Sequence, residues 1–160
     1  MARIDAFLEY AIRAYNVDTT RVYMTGFSQG GFLTYEYAMT HPLKIAAIAT
    51  ISAGIPFTGD VPWNFCRMAK VPVWLFHGRA DDVIPFWSSA RGALDIDRFC
   101  NPIFPPRLSL LEEFGHGIHH YIYNLTAMDG GELEGIYDSR FNSYDQSIYD
   151  WLLSHSRAAE

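Results

Sequence analysis

Two almost wholly apolar segments constrain the fold of this chain more than any other feature. They are residues 45–51 (IAAIATI) and 71–76 (VPVWLF). A strand with one face in water alternates apolar and polar residues, whereas a strand covered on both faces is apolar throughout. Shorter β-rich segments at 21–25 (RVYMT) and 108–111 (LSLL) predict two more strands. The sequence therefore predicts a mostly parallel sheet of about four strands.

Helical periodicity separates these strands. In residues 1–15, apolar side chains recur at three- and four-residue steps, as they do on one face of an amphipathic helix. Similar patterns predict helices at 30–40, 88–94 and 143–153. Strands alternating with helices are typical of an α/β fold, whose chemistry gathers at the carboxyl ends of the strands. We expect the 160 residues to form a single α/β domain with flanking helices.

The composition argues against several kinds of partner. Asp and Glu total 18 against 12 Lys and Arg, which gives a net charge of −6. An acidic chain without a basic cluster repels a phosphate backbone, so nucleic-acid binding is not expected. No apolar run reaches the roughly 18 residues of a membrane span. The N-terminal segment does not resemble a secretory signal, but the location stays unknown: cytoplasmic or, if the N-terminus is truncated, secreted.

The cysteine content argues against a scaffold built on disulfides. Cys66 and Cys100 are the two cysteines of the chain. Two cysteines are too few for such a scaffold, and we expect two unpaired, partly buried thiols. The alternative is a single bridge, which would require a secreted protein.

The segment 26–30 (GFSQG) matches the G-x-S-x-G pattern between a predicted strand and a predicted helix. This context is typical of a nucleophile elbow, a sharp strand-to-helix turn with Ser28 at its tip. Gly26 and Gly30 are expected to be required, because a Cβ at either would collide with the neighbouring strand or helix. The N–H of Gln29 is the expected oxyanion donor. The alternative is that Ser28 only caps the helix.

The segment 77–85 (HGRADDVIP) follows the predicted strand 71–76. It resembles the HGxxDxxVP segment of the α/β-hydrolase superfamily and is most similar to carboxylesterases of the polyhydroxybutyrate-depolymerase-like and feruloyl-esterase-like kind. The resemblance implies a serine esterase in which Asp81 is the acid. Asp82 is the alternative, because an Asp pair at a strand end can also cap the next helix. His77 is expected to be structural, bonding within its own loop.

A serine hydroxyl becomes a good nucleophile only when a base takes its proton. The segment 114–120 (FGHGIHH) follows the last predicted strand, and its glycine-flanked His116 resembles the base of the α/β-hydrolases. His119 and His120 are alternatives if the loop is longer. The three histidines also form an H-x-x-H-H pattern, but the flanking glycines disfavour a helix that would group them around zinc. We predict no metal and no other cofactor.

Aromatic residues near the predicted elbow are candidates for the substrate pocket. Phe27 precedes Ser28, Trp63 lies in the loop after strand 45–51, and Trp87 follows the Asp81 segment. Aromatic walls would suit a hydrophobic acyl or aromatic group. Each of these side chains could equally pack beneath its own loop.

The resemblance covers nearly the whole chain, but only the later half of the α/β-hydrolase fold, from the helix before the elbow strand onward. The early loop that provides a second oxyanion N–H in that family has no equivalent in this sequence. The elbow strand, normally central, would lie at the edge of a truncated sheet with unpaired backbone groups. We therefore expect a homodimer or a higher homo-oligomer that covers this edge.

These observations predict a serine carboxylesterase that hydrolyses small or short-chain carboxylic esters through an acyl-serine intermediate. Ser28 would attack the ester carbonyl, His116 would move the proton, and Asp81 would hold His116. A peptidase would use the same residues. The alternative is a non-catalytic half-fold acting as a binding or assembly module, which the missing oxyanion loop favours. A flavodoxin-like domain would need a phosphate-binding loop, and the sequence contains none.

Overall fold

The computed structural model describes residues 1–55, 65–124 and 144–157 of the chain, which form helices and strands. In chain order they are α1 (Ala2–Ala14), β1 (Tyr23–Phe27), α2 (Gln29–Thr40), β2 (Ala47–Ile51), β3 (Val73–Gly78), α3 (Trp87–Cys100), β4 (Arg107–Leu111), α4 (His119–Ile122) and α5 (Ile148–Leu153). Short 3₁₀ turns lie at Pro42–Lys44 and Phe65–Met68. The strands form one sheet in the order β1-β2-β3-β4, with every neighbouring pair parallel. The predicted fold class is confirmed.

The strand ends are in register. Phe27 of β1 pairs with Ile51 of β2, and Ile51 pairs in turn with Phe76 of β3. Gly78 at the end of β3 pairs with Leu111 at the end of β4. Because all four strands run in the same direction, their carboxyl ends form one edge of the sheet. The segments that follow the four strands therefore emerge close together.

Two apolar cores cover the two faces of the sheet. Neighbouring residues of a strand point to opposite faces. On one face, Leu75 of β3 belongs to a core with Tyr35 of α2 and Ile96 of α3. On the other face, Trp74 packs edge-on against Trp151 of α5, with ring centroids 5.2 Å apart. Both β2 and β3 are buried along their whole length, which explains why their sequences lack alternation.

Helix α3 is longer than the sequence predicts, since it continues six residues beyond Leu94 to Cys100. Asp95, Asp97 and Arg98 interrupt the apolar residues of this second half and conceal the helical pattern, although Ile96 lies in the core. Gly92 lies within the helix, and the absence of a Cβ there leaves room for Ile55. A Cβ at this position would lie 2.5 Å from Cδ1 of Ile55. The helix ends where Asn101 adopts a left-handed φ of 45°.

The expectation of two unpaired thiols is wrong, because Cys66 and Cys100 form a disulfide. The 3₁₀ turn Phe65–Met68 packs beside the end of α3, which places the two Cα atoms 4.6 Å apart. That distance lies within the usual range for a bridge. The two cysteines are 34 residues apart in sequence, and only the packing of these two elements shows that they meet.

The turn from β1 to α2 consists of Ser28 alone, in a backbone conformation with φ 53° and ψ −117°. Gly26 is required at this turn, because a Cβ there would lie 2.2 Å from the carbonyl carbon of Gly30. The same expectation is wrong for Gly30, whose Cβ would meet no atom within 4 Å in the described structure. Gly31 is the second crowded position, since its Cβ would lie 2.3 Å from Cβ of Ala53.

We expect Gly26→Ala and Gly30→Ala to have opposite effects on stability. The first forces two backbone segments apart and should lower the free energy of unfolding by about 1–3 kcal/mol. The second adds a methyl group in open space and replaces a poor helix former, so it should leave the free energy unchanged or raise it by up to about 1 kcal/mol. Urea unfolding followed by tryptophan fluorescence measures both. Equal destabilisation would contradict the packing described here.

Strand β1 lies at the edge of the sheet, as the sequence predicts, and within the described residues it pairs only with β2. A second copy of the chain that covers this edge stays a prediction. Light scattering of the purified chain should give the mass of a dimer or of a larger assembly, and a monomer at all concentrations would contradict this.

Among the described helices, none has the length and apolar character needed to cross a membrane.

Candidate active site

Four polar residues follow the four strands at the carboxyl edge of the sheet. Ser28 comes directly after β1 and Ser52 directly after β2. Asp81 and His116 lie in the loops that follow β3 and β4. The order of the strands in the sheet equals their order in the chain, so these residues meet along one edge although 88 positions separate Ser28 from His116.

Ser28 is held in place by its backbone. Its N–H donates to the Ile51 carbonyl at 2.9 Å, and its own carbonyl accepts from Gly31 N–H at 2.9 Å and Phe32 N–H at 3.2 Å. A positive φ at a non-glycine residue is strained and persists only where such surroundings impose it. The hydroxyl makes no capping bond to α2. The alternative that Ser28 only caps the helix is therefore wrong, and its Oγ is available to another partner.

That partner is His116. Its Nε2 lies 3.0 Å from Oγ of Ser28, and its Nδ1 lies 2.8 Å from Oδ2 of Asp81. A carboxylate can only accept, which assigns the ring proton of a neutral His116 to Nδ1 and leaves Nε2 free to accept the Ser28 proton. The Phe27 ring packs beside the imidazole, with centroids 5.0 Å apart. The result is a continuous hydrogen-bonded chain from a hydroxyl through an imidazole to a carboxylate.

Ser52 holds the backbone of the loop that carries His116. The sequence patterns did not predict this role for Ser52. This side chain is completely buried, and its hydroxyl donates to the His116 carbonyl at 2.8 Å. Its N–H donates to the Phe76 carbonyl at 2.9 Å, and its φ is 47°. A strained residue at the end of β2 therefore fixes the loop that carries His116. The position of Ser52 directly after a buried strand is the one feature of the sequence that could have indicated it.

Asp81 is buried and fully engaged. Its Oδ1 accepts from the N–H groups of Val83 and Ile84, each at 2.9 Å, and its Oδ2 accepts from His116. Burial raises the pKa of this carboxyl, but the bonds from Ile84 N–H and His116 outweigh burial and hold the pKa below its usual value. Asp82, the alternative acid, is exposed to solvent. The structure therefore brings Asp81 to His116.

His77 has wider contacts than the sequence predicts. It bonds within its own loop as expected, with Nε2 2.8 Å from the Ile84 carbonyl. Its Nδ1 also lies 2.7 Å from Oγ of Ser89 on α3, and its Nε2 lies 3.0 Å from Oδ2 of Asp81. The side chain is completely buried.

His119 and His120 do not replace His116. They begin α4, a single turn that starts after both glycines of the loop and that the sequence did not predict. His119 stacks on Phe27 with ring centroids 3.8 Å apart, and His120 packs against His119 at 4.0 Å. Because α4 starts at His119, His116 lies outside it and the three imidazoles do not share one helix face. Within the described ranges, no group of three or more potential ligands could hold a metal ion.

The remaining predicted site residues are Gln29, Trp87 and Trp63. Gln29 is the first residue of α2, so its N–H has no acceptor within the helix and lies next to Ser28. Trp87 begins α3 and is 58% exposed, and the adjacent Ser88 packs against Gly54 in the loop after β2. Trp63 lies outside the described residues.

The phospholipase/carboxylesterase family matches residues 1–118 of this chain. Among individual relatives, a bifunctional acetylxylan esterase/xylanase of Neocallimastix patriciarum is 34% identical over 84 residues, which are 52% of this chain and 12% of that protein. A probable carboxylesterase SOBER1-like of Arabidopsis thaliana is 35% identical over 71 residues, 44% of this chain and 27% of that protein. Acyl-protein thioesterase 1 of Schizosaccharomyces pombe is 28% identical over 81 residues, 50% of this chain and 36% of that protein.

Solved structures agree on the fold. A thermostable esterase superposes with a TM-score of 0.67 at 22% identity, covering 98% of this chain and 36% of its own. SOBER1 of Arabidopsis thaliana superposes with a TM-score of 0.61 at 22% identity, covering 73% of this chain and 54% of its own. The matched regions span between 12% and 36% of the length of the three relatives above. The family match covers most of the chain and the fold agrees with it, so the chain belongs to the phospholipase/carboxylesterase family of α/β-hydrolases.

Proposed function

We propose that this chain carries the reactive centre of a serine carboxylesterase that hydrolyses small or short-chain carboxylic esters. The observation that supports this most is the hydrogen-bonded chain Ser28–His116–Asp81, with distances of 3.0 Å and 2.8 Å. A hydroxyl that is not used for capping, placed at a strained turn, is otherwise difficult to explain.

The proposed reaction has two halves. Oγ of Ser28 attacks the ester carbonyl while Nε2 of His116 takes its proton, and the same proton then passes to the leaving alcohol. Water attacks the acyl-serine in the second half with His116 again as base, the bond from the acyl carbon to Oγ of Ser28 breaks, and the proton on His116 passes to Oγ as the carboxylic acid leaves. Asp81 keeps the proton of neutral His116 on Nδ1 and stabilises the imidazolium that forms in each half. The Gln29 N–H, at the start of α2, donates to the oxyanion, where the positive end of the helix dipole also acts.

The proposed substrates are acyl esters with an apolar or aromatic group. The relatives are named as a bifunctional acetylxylan esterase/xylanase, a probable carboxylesterase and an acyl-protein thioesterase, and each of these names denotes hydrolysis of an acyl ester or thioester. Phe27 supports an apolar wall beside the reacting atoms, since its ring packs on both His116 and His119. Trp87, at the exposed start of α3, is proposed as a further wall of this pocket.

A second candidate function is a binding or assembly module without turnover. Gln29 N–H is the one oxyanion donor that we identify in the described residues, whereas acyl-transfer sites commonly provide two. Losing one such donor costs about a hundred- to a thousandfold in rate. The esterase is the better candidate, because a binding module has no need of a proton path between Ser28 and Asp81.

Release of p-nitrophenol from p-nitrophenyl butyrate tests the esterase. We expect turnover by the purified chain that falls to the uncatalysed background in Ser28→Ala, because no other hydroxyl is bonded to the imidazole of His116 among the described residues. Equal rates for both proteins would refute the esterase and favour the binding module.

The aspartate pair provides a matched control for the same assay. Asp81→Asn should lower kcat by about 10⁴-fold, because an amide can donate to Nδ1 and favours the wrong imidazole tautomer. Asp82→Asn removes the same charge from an exposed neighbour and should leave kcat within about twofold. A larger loss in Asp82→Asn than in Asp81→Asn would show that the acid has been assigned incorrectly.

A further inference from the structure

Two histidines share one oxygen of the Asp81 carboxylate. Oδ2 lies 2.8 Å from Nδ1 of His116 and 3.0 Å from Nε2 of His77. The side chains of His77 and Asp81 are both completely buried. The reaction proposed above uses His116 but gives His77 no part.

The surroundings of His77 fix which of its ring nitrogens carries the proton. Nε2 faces two groups that can only accept, the Ile84 carbonyl at 2.8 Å and the Asp81 carboxylate. Nδ1 lies 2.7 Å from the Ser89 hydroxyl, whose one proton can go to Nδ1 or to the Ala53 carbonyl at 3.2 Å. A proton on Nε2 therefore gives every polar atom of the ring a partner. Burial lowers the pKa of His77, so the ring is a neutral donor and not a buried charge.

The N–H groups of Val83 and Ile84 both donate to Oδ1 of Asp81. They restrain rotation of the planar carboxyl group, but neither of them bonds Oδ2. Because the terminal torsion of an aspartate has broad energy wells, a further donor at Oδ2 narrows the orientation of this group. His77 lies in β3, one of the two fully buried strands, and its Nε2, which bonds the Ile84 carbonyl at 2.8 Å, also lies 3.0 Å from Oδ2.

We propose that His77 is a positioning residue, whose neutral Nε2–H fixes Oδ2 of Asp81 so that His116 stays directed at Ser28. Its role rests on the proposed esterase function, in which the orientation of His116 decides how well Ser28 is activated. A positioning role differs from a packing role, because it depends on the Nε2–H donor of His77 and not on the presence of an imidazole ring.

Two amide substitutions separate these roles. In His77→Gln the terminal NH₂ can reach the position of Nε2 and donate to both the Ile84 carbonyl and Asp81. In His77→Asn the amide ends near the position of Nδ1, so it can bond Ser89 but not Asp81. Both variants place an uncharged amide in the same buried site. Thr50→Val is the control for lost stability alone, since it breaks the buried bond of 2.6 Å between Thr50 and Tyr35.

The first measurement is kcat per active site. The concentration of active sites is determined from the initial burst of p-nitrophenol. We expect kcat to fall about 10- to 100-fold in His77→Asn, as for other supporting hydrogen bonds of a site, while KM changes less than twofold. In His77→Gln kcat should stay within about threefold of the parent. Thr50→Val should lower Tm and leave kcat unchanged. Equal kcat in the two His77 variants, or a loss in both that follows Tm, would overturn the proposal.

Nuclear magnetic resonance gives a second measurement that needs no turnover. Long-range ¹H–¹⁵N spectra of the parent chain should show His77 protonated at Nε2 and bare at Nδ1. The low-field proton of His116 Nδ1, bonded to Asp81, should persist in His77→Gln and exchange away in His77→Asn. A parent His77 protonated at Nδ1, or an unchanged His116 proton in His77→Asn, would overturn the proposal.

The two measurements distinguish failure of the proposed function from failure of this inference. If the parent shows no turnover that depends on Ser28, the esterase is refuted, and the His116 proton alone decides whether His77 positions Asp81. If His77→Asn does not fold, the tautomer of His77 in the parent and the kcat of His77→Gln decide whether His77 positions Asp81. A His77→Gln variant that folds but has lost the His116 proton would overturn the inference.

Discussion

The parallel register of the four strands is the constraint on which the site depends. Strands that pair in chain order, with their carboxyl ends level, deliver four successive loops to one edge of the sheet. Ser28, Ser52, Asp81 and His116 are contributed by these loops, one from each. Because a shift of register would displace a whole loop by several ångströms, the 3.0 Å contact between Ser28 and His116 requires correct pairing of every strand between them.

Burial and hydrogen bonding act together at this edge. A buried carboxylate is unfavourable unless it is fully bonded, and Asp81 accepts from two backbone N–H groups and from His116. These donors lie in the loops that follow β3 and β4, so the pairing of the two strands during folding already brings them to Asp81. Strain at Ser28 and Ser52 is the local cost of this arrangement. This strain is tolerated because the hydrogen bonds between the strands and the two apolar cores determine the backbone on either side of each serine.

Local patterns in the sequence were enough to predict the strands and Ser28, whereas the choice of Asp81 and His116 depended on the resemblance to the α/β-hydrolases. Apolar runs mark strands covered on both faces, and the GFSQG segment places Ser28 between a strand and a helix. Contacts between distant segments could not be predicted in this way. The bond from Ser52 to the His116 carbonyl spans 64 positions, and the Cys66–Cys100 bridge depends on how a 3₁₀ turn packs on α3. The crowding of Gly31 likewise depends on Ala53, a residue of another loop.

The Cys66–Cys100 bridge has a topological consequence. The segment between the two cysteines contains all of β3, the loop with Asp81, and nearly all of α3. The bridge thus closes a covalent ring around one strand–loop–helix unit. A single proteolytic cut in the exposed stretch around Asp82 and Val83 would open this ring without releasing either fragment. The nicked chain would migrate as one species in a non-reducing gel and separate into two only after reduction.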